Sequence, residues 1–447
     1  MKRKTNNNMI RPLSIGTLLV ILTSLVKLNA AETGVLEVNR NGYAGVIPHP
    51  FSVPSKAIVL TGDTAIINKD VYAVFYNTED LAFNDPTVPR FQFIDRQGKT
   101  IFGIGGAAEV YGYADFRGTV NQYEFDVWKI PMQGTADQRS NIGATASQTS
   151  IFLKLARSTR FGVLTMYINS DFSGGQNGNN FKLKQAYVSV GGFTLGYARS
   201  VFSDPSATVP SIDPFGPIGT INKRNILISY RRHFGNHLAG TISVEAPTAS
   251  YTFDETTSKL NQKVPDIPLN LQYTWYSGSH IRMAAILRNQ PYKDLLTGKN
   301  QLVTGYGVQV SGVASALGLV DFIYQVSYGK GIGYYVKGLA GEGVDLIYSG
   351  TPGKMIAPSS FAFVTGLRFD PNPKFVTSVA FSMARLYDQS QMGGDMFRRG
   401  CYIDANAFYM PFSDFQIGIG YIHGERTNMD HSHGRANRIE AMVKYSF

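Results

Sequence analysis

The sequence is poor in several features that define common protein classes. It has one cysteine and two tryptophans in 447 residues, and 17% of its residues are charged. A single cysteine, Cys401, excludes a disulfide-stabilised scaffold. The longest apolar run, over residues 13–26, is shorter than the roughly 20 residues of a transmembrane helix. A mean hydropathy of -0.09 likewise argues against a helical membrane protein.

Glycine and aromatic residues are abundant instead. The chain contains 46 Gly, 28 Phe and 25 Tyr. That many aromatic residues disfavour a disordered chain. That many glycines disfavour a helical bundle, because glycine inside a helix costs about 1 kcal/mol. The composition therefore favours a large β-rich protein.

The first thirty residues have the pattern of a secretory signal peptide. Residues 1–11 carry four basic side chains and no acid, an apolar run follows, and Asn29, Ala30 and Ala31 end it with small side chains. This order is typical of an exported chain that is cleaved near Ala30 or Ala31. We therefore predict a signal peptide over residues 1–31.

The charge balance is mild once that segment is set aside. Five of the 42 basic residues lie within it, whereas all 32 acidic residues lie beyond it. No cluster of Lys and Arg has a DNA-binding pattern, so the sequence indicates no nucleic-acid partner.

Apolar and polar side chains alternate in stretches of about ten residues from Gly103 to the end. This period of two is typical of strands with one apolar and one polar face. We count sixteen such segments. They lie near 103–116, 148–157, 161–170, 180–190, 192–200, 224–232, 237–246, 267–275, 279–289, 303–314, 318–329, 361–370, 374–386, 400–411, 413–425 and 434–447.

The links between these segments alternate strictly between short and long. Links such as 191–192 and 370–373 are tight turns, whereas 201–223 and 330–360 are long. Short periplasmic turns and long external loops are typical of outer-membrane barrels. The sequence thus predicts an all-β protein, a transmembrane antiparallel β-barrel of about 16 strands over residues 101–447. Residues 32–100 would form a periplasmic N-terminal segment or a small plug.

The last segment supports this architecture. Counting back from Phe447, every second residue of 438–447 is apolar, and of the five alternate residues from Ser446 to Arg438, all but Met442 are polar or charged. A terminal aromatic residue on an apolar row is typical of the strand that the barrel-assembly machinery recognises. An ordinary amphipathic strand at the chain end is the alternative.

Strand parity indicates which charged residues point into the barrel. The acids Glu109, Asp115, Asp404 and Glu440 would point inward and would partly offset the charge of the inward basic residues. Strand 224–232 is ambiguous, because either Arg231 or the pair Arg224 and Arg232 faces inward. A positive channel concentrates anions, although mixed charges inside a barrel also serve structural roles. The predicted inward basic residues are Lys154, Lys182, Lys184, Arg282, Arg288, Arg368, Arg438 and Lys444.

The link 201–223 is stiffened by proline. Pro205, Pro210 and Pro214 fix their own φ angles, and Asp204 and Asp213 lie between or beside them. We expect this loop to fold inward and narrow the pore, with its acids facing Arg199 and Arg224. A rigid surface loop is the alternative.

Three segments resemble a known family. Residues 90–106 (RFQFIDRQGKTIFGIGG), 182–205 (KLKQAYVSVGGFTLGYARSVFSDP) and 213–217 (DPFGP) are similar to those of the DcaP-like outer-membrane porins. The resemblance implies a homotrimer of sixteen-stranded barrels in the outer membrane of a Gram-negative bacterium, in contact with its lipid. It also implies passage of small anionic solutes such as dicarboxylates, with Lys184, Arg199 and Arg224 near the constriction.

Signals for catalysis and cofactors are weak. GIGGAA, from Gly103, lies in a predicted strand with no helix to receive a pyrophosphate, so it does not indicate a dinucleotide site. His431 and His433 indicate a solvated loop more than a metal site. The sequence predicts a diffusion porin without cofactor, metal or catalytic residues. An outer-membrane lipase or protease with a closed lumen is the alternative, and uptake of apolar molecules is disfavoured by the basic inward row.

Overall fold

The computed structural model of the chain describes residues 58–61, 68–77, 81–83, 85–86, 88–120, 122–132, 140–175, 179–275, 279–316, 318–387 and 393–447. The predicted signal peptide lies outside these residues. The helix α1 (Lys69–Tyr76) begins at Asn68, whose side chain accepts hydrogen bonds from two backbone amides of its first turn. No helix within the described ranges has the length and apolarity to cross a membrane.

Sixteen long antiparallel strands close into a barrel, which confirms the predicted fold. The last strand pairs with the first, from Asn437 opposite Phe116 to Ser446 opposite Ala107. Small strands accompany the barrel: β1 (Ile58–Thr61), β2 (Phe91–Ile94), β4 (Ser140–Thr145), β11 (Tyr251–Thr252), β12 (Thr257–Lys259), β17 (Leu346–Tyr348) and β18 (Met355–Ile356). The barrel strands are β3 (Thr100–Phe116), β5 (Ser150–Thr159), β6 (Gly162–Gly174), β7 (Asn180–Val190), β8 (Phe193–Arg199), β9 (Arg224–Phe234), β10 (Leu238–Glu245), β13 (Ile267–Thr274), β14 (His280–Asp294), β15 (Asn300–Ala316), β16 (Val320–Lys330), β19 (Ser359–Asn372), β20 (Phe375–Leu386), β21 (Phe397–Phe412), β22 (Phe415–Asn428) and β23 (His433–Ser446).

The barrel wall has an apolar outer face. On β9, Ile226 and Ile228 are 64% and 56% exposed, whereas the alternate residues Asn225 and Leu227 are buried. The same alternation runs through β22 and β23. Lipid offers no hydrogen-bond partners, so only a closed barrel with an apolar outside satisfies its backbone in a bilayer.

Three long loops fold into the barrel and form a core of their own. They contribute residues from 117–132, 200–223 and 331–345, all at the end of the barrel opposite the short turns. Phe125, Phe202 and Leu339 are fully buried there. They pack against inward residues of β14 and β19 to β23. One side of the lumen is therefore filled by loops.

Glycines at the start of β3 permit close packing. A Cβ on Gly103 would lie 2.1 Å from Cγ of Pro89, and one on Gly106 would lie 2.7 Å from the Phe447 ring. The backbone of Phe447 also pairs with Gly106 in both directions, at 2.8 and 2.9 Å. GIGGAA therefore lies inside a strand, as predicted, and its glycines allow close packing.

The segment before β3 lies against the inner wall at the short-turn end. Val71 and Phe75 of α1 are buried against Ala156 of β5. After α1, residues 81–83, 85–86 and 88–90 run through the lumen to the β2–β3 hairpin. We call these eight residues the strap.

Candidate functional site

A cavity of about 370 Å³ lies inside the barrel, beside the wall formed by β5 to β10 and by β13 and β14. This volume is within the range of small-molecule sites. Among the described residues, its lining contains no carboxylate. It contains four cationic side chains: Lys154, Arg199, Arg231 and Arg282.

The structure resolves the ambiguity in β9. Arg231 shares the inward parity of Leu227 and Ser229 and lines the cavity. Arg232 is exposed on the outer face. Arg224, at the first position of the strand, turns its guanidinium toward Asp85 of the strap.

Arg199 and Arg224 lie together at the edge of the cavity. They are direct partners across β8 and β9. Nη2 of Arg199 donates to Oδ2 of Asp85 at 2.6 Å, and Nη2 of Arg224 is 3.7 Å from Oδ1. Arg199 also donates to the side chain of Asn222. Two cations thus share one carboxylate.

A group of lysines lies toward the long-loop end. Nζ of Lys184 is 2.6 Å from Oδ2 of Asp171. Lys223 lies over the Tyr334 ring at 5.0 Å, and Lys337 lies over Phe215 at 5.3 Å.

These loop lysines interact with one another and with nearby acids. Burial lowers the pKa of Lys337 to about 8, although Asp213 and Glu124 oppose the shift. Burial also lowers the pKa of Lys223 to about 8, opposed by Asp345 and Glu124 and assisted by Lys182 and Arg224.

The loop 200–223 is tied to the inner wall by its two aspartates. Oδ2 of Asp204 accepts hydrogen bonds from Ser311 at 2.6 Å and pairs with Nε2 of His280 at 3.0 Å. Asp213 accepts from the Tyr402 hydroxyl at 3.0 Å and from the backbone amides of three loop residues. The loop therefore lies inside the barrel, and its residues Ser200, Val201, Ser203 and Pro205 line part of the cavity.

Several other inward arginines are buried in ion pairs. Arg288 lies between Asp266 and Asp345, at 3.0 and 2.6 Å. Arg438 binds Asp115 at 2.6 Å. Both have side chains with 0% exposure.

A protein family described as "Porin subfamily" matches residues 95–380, more than half of the chain. The chain belongs to this porin family. It is an outer-membrane porin, and its family and fold point to a channel and not to the enzyme alternative. The search of curated proteins gives no match.

Solved structures include similar barrels. The outer membrane channel DcaP of Acinetobacter baumannii is 19% identical, with a TM-score of 0.69 over 78% of this porin and 98% of that chain. An anion-selective porin from Comamonas acidovorans is 8% identical, with a TM-score of 0.48 over 78% of this chain and 100% of that one. OprB of Pseudomonas putida is 10% identical, with a TM-score of 0.48 over 78% and 94%. The first likeness confirms the fold that the resemblance to DcaP-like porins implied.

The partners of the inner aspartates differ from our expectation. Asp204 and Asp213 do fold inward, but Asp204 pairs with His280 and Ser311 and Asp213 with Tyr402. Arg199 and Arg224 are paired with Asp85 instead. Within the loop, Asp204 and Asp213 are bound by side chains of β14, β15 and β21, whereas Asp85 of the strap lies beside the ends of β8 and β9 that carry the two arginines.

The predicted pore-wall residues fall into three groups. Arg199, Arg231 and Arg282 line the porin's cavity. Arg288 and Arg438 point inward but are buried beneath the loops, which separates them from the cavity. Arg368 binds Asp370 and lies 3.8 Å from Asp321, and Lys444 lies 3.5 Å from Glu109. A role of any of these residues in solute passage stays a prediction.

Sequence reasoning missed Asp85, Lys223 and Lys337. Asp85 precedes a proline in a segment without strand periodicity, and nothing in the sequence signals its long-range partners. The inward course of 117–132 and 331–345 has a usable signal in the sequence: these long links contain large apolar residues such as Phe125 and Leu339.

Proposed function

We propose that this porin passes small hydrophilic solutes and prefers anions, including dicarboxylates. The cavity carries the proposal, because the described part of its lining has four cations and no carboxylate. A carboxylate in the lining would offset this positive charge, and the described part of the lining has none.

The physical reason is electrostatic. A cavity with low-dielectric walls and charge of one sign focuses the field and raises the local concentration of counter-ions. Arginine adds specificity, since its planar fork binds a carboxylate through two parallel hydrogen bonds. Arg199, Arg231 and Arg282 bring three guanidinium groups to one space, and that of Arg282 also donates to Gln272 and Ser203 and lies 3.8 Å from Asp204.

The lysines extend the positive potential toward the long-loop end. Lys182, Lys184, Lys223 and Lys337 interact electrostatically with one another, and Lys223 also interacts with Arg224. Asp171 and Glu124 reduce this potential locally. An anion entering from the outside would meet lysines first and then the arginines of the cavity.

The deciding measurement is the reversal potential of the purified porin in a planar bilayer under a KCl gradient. We expect a potential biased toward chloride, and a larger bias when potassium succinate replaces KCl. Arg231→Gln should reduce the chloride bias. Arg232→Gln is the matched control, because it removes the same charge from the adjacent outward position.

Two outcomes would overturn the proposal. One is a reversal potential biased toward potassium. The other is an equal effect of Arg231→Gln and Arg232→Gln, since that would mean that the cavity does not select the permeating ion.

Three further proposals concern export and assembly. Residues 1–31 would direct secretion, the apolar row that ends at Phe447 would be read by the barrel-assembly machinery, and the porin would form a homotrimer. Native mass spectrometry of the detergent-extracted protein checks both the mature mass and the trimer.

A further inference from the structure

The strap crosses the lumen between two walls. On one side, the Phe83 ring packs on Phe408 of β21, with ring centroids 5.6 Å apart. On the other side, Asp85 reaches Arg199 and Arg224 on β8 and β9. The strap therefore lies across the space through which solutes would pass.

Ion pairs with Arg199 and Arg224 hold Asp85 where the strap reaches β8 and β9. Its Oδ2 accepts hydrogen bonds from Arg199 at 2.6 Å and from the backbone amide of Ala82 at 3.0 Å. Burial raises the pKa of this carboxyl, but Arg199 and Arg224 lower it more, and the pKa lies below its ordinary value. The strap thus presents an ionised carboxylate to the two arginines.

The two arginines have binding capacity that Asp85 leaves unused. Among the described residues, no other carboxylate lies within ion-pair distance of either guanidinium. Nε of Arg199 and Nε of Arg224 are both buried and have no hydrogen-bond partner within that part of the chain. Buried donors without partners are costly, so the pair suits a ligand with more carboxylate oxygens than Asp85 offers.

The rest of the strap is anchored near the short turns. The Tyr167 hydroxyl donates to the carbonyl of Pro86 at 2.8 Å. Pro89 packs on Gly103, and Arg90 binds Asp414 at 2.8 Å in the β21–β22 turn. Release of Asp85 would therefore free the strap from the β8–β9 wall, while Tyr167 and Arg90 keep its end in place.

We propose that the Arg199–Arg224 pair is a carboxylate-binding site that Asp85 occupies in the resting channel, and that a carboxylate solute replaces Asp85 and releases the strap. This inference rests on the proposed function, because it takes an anionic solute as the ligand. The strap would then act as a plug that opens to the class of solute the channel conducts.

The primary test compares Asp85→Asn with the wild-type porin in planar bilayers. A hydrogen bond to a charged group shifts an equilibrium by about tenfold to hundredfold. We therefore expect Asp85→Asn to favour the released strap and to raise the single-channel conductance in KCl. Asp70→Asn is the control, because Asp70 is an exposed acid of the same segment and should leave the conductance unchanged.

Hydrogen exchange of the full-length protein in micelles gives a second readout. The amide of Asp85 donates to the carbonyl of Ala82 at 3.0 Å, so it should be protected while the strap is latched. Succinate should speed exchange at the strap in the wild type, relative to KCl of equal ionic strength. In Asp85→Asn, exchange should be fast without succinate.

We expect Gly103→Ala to loosen the strap at Pro89 while leaving the ion pairs of Asp85 with Arg199 and Arg224 intact. The new Cβ would overlap Pro89, at 2.1 Å from Cγ, whereas on Gly112 it would meet nothing closer than 3.8 Å. We expect a higher conductance for Gly103→Ala and no change for Gly112→Ala. Heat-modifiable migration on a gel verifies that each variant folds.

The outcomes separate this inference from the proposed function. Unchanged conductance and exchange in folded Asp85→Asn, with chloride selectivity intact, would overturn the plug and leave the anion preference standing. A channel selective for potassium whose conductance rises in Asp85→Asn would overturn the anion preference and keep the latch. Slower exchange of the strap with succinate would exclude displacement of Asp85.

Discussion

Arg438 and Asp115 join the two strands that close the barrel. They are direct partners on β23 and β3, and Nε and Nη2 of Arg438 donate to the two oxygens of Asp115 at 2.6 and 3.0 Å. Both side chains are fully buried. Nη1 and Nη2 of Arg438 also donate to backbone carbonyls of the 117–132 loop, and Nη1 donates to the Tyr111 hydroxyl as well. One residue thus ties the barrel seam to the inner core.

Removing this arginine should weaken the whole barrel. Arg438→Met leaves Asp115 buried without its partner, which costs about 3–5 kcal/mol. The free energy of unfolding by urea in lipid vesicles, followed by gel migration, measures the loss.

A second pair on the same seam provides the comparison. Lys444 and Glu109 are also partners across β23 and β3, but they are partly exposed and 3.5 Å apart. Lys444→Met should cost less than Arg438→Met, because charges that keep contact with water interact more weakly. Equal losses in the two variants would mean that burial does not set the strength of these pairs.

Asp204 should control how firmly the loop 200–223 holds its position. Asp204→Ala removes the acceptor for Ser311 and the partner of His280, and it leaves buried polar groups unsatisfied. We expect a larger and noisier single-channel conductance, because the loop loses its tie to β14 and β15.

Ser206→Ala is the control for Asp204→Ala, because it removes a hydrogen bond of Asp204 without removing the contacts of Asp204 with β14 and β15. The Ser206 hydroxyl donates to Oδ1 of Asp204 at 2.9 Å within the loop itself. This variant should retain the quiet conductance of the wild type. Steady current in Asp204→Ala would show that the prolines alone hold the loop.

Selectivity should depend on pH through the loop lysines. The pKa values of Lys223 and Lys337 are lowered to about 8, so both lose their positive charge as the pH rises through that value. Between about pH 7 and about pH 9, the preference for chloride over potassium should fall, since ordinary lysines and arginines stay charged there.

Arginine replacements identify the titrating groups. Lys223→Arg and Lys337→Arg together keep the charge at high pH, so the reversal potential should depend much less on pH across this range. The groups that face these lysines are Glu124, Asp213, Asp345, Lys182, Lys184 and Arg224. A pH dependence that survives both replacements would assign it to other residues.

The wall of the barrel could be predicted because its environment imposes a simple rule. Each strand separates lipid from the lumen, so side chains alternate with a period of two, and predicted segments such as 374–386 match β20 (Phe375–Leu386) closely. The short strand β4 was not predicted, because Ser140–Thr145 pairs with the end of β3 inside a segment that was predicted as a loop.

The interior followed no such rule. The direction that a loop takes, and the residues that it binds, depend on contacts with residues far away in the chain. Asp204 with Ser311 and Asp85 with Arg199 are two such contacts. Parity identified Arg288 as inward, yet it could not reveal that Asp266 and Asp345 bury its charge. Inward orientation and access to the cavity are separate properties, and strand periodicity encodes the first.

The inner core of loops has a consequence for folding kinetics. Its contacts are non-local: the backbone amide of Ile221 binds Gln325, 104 residues later in the chain, and that of Phe125 binds Asp213, 88 residues away. Such contacts form slowly, because the entropy of closing long chain loops must be lost before they stabilise anything. Until the strands have curved, Phe125, Phe202 and Leu339 have no wall to pack against. The unassembled chain therefore exposes apolar surface from its loops as well as from its strands, which raises its demand for chaperones on the way to the membrane.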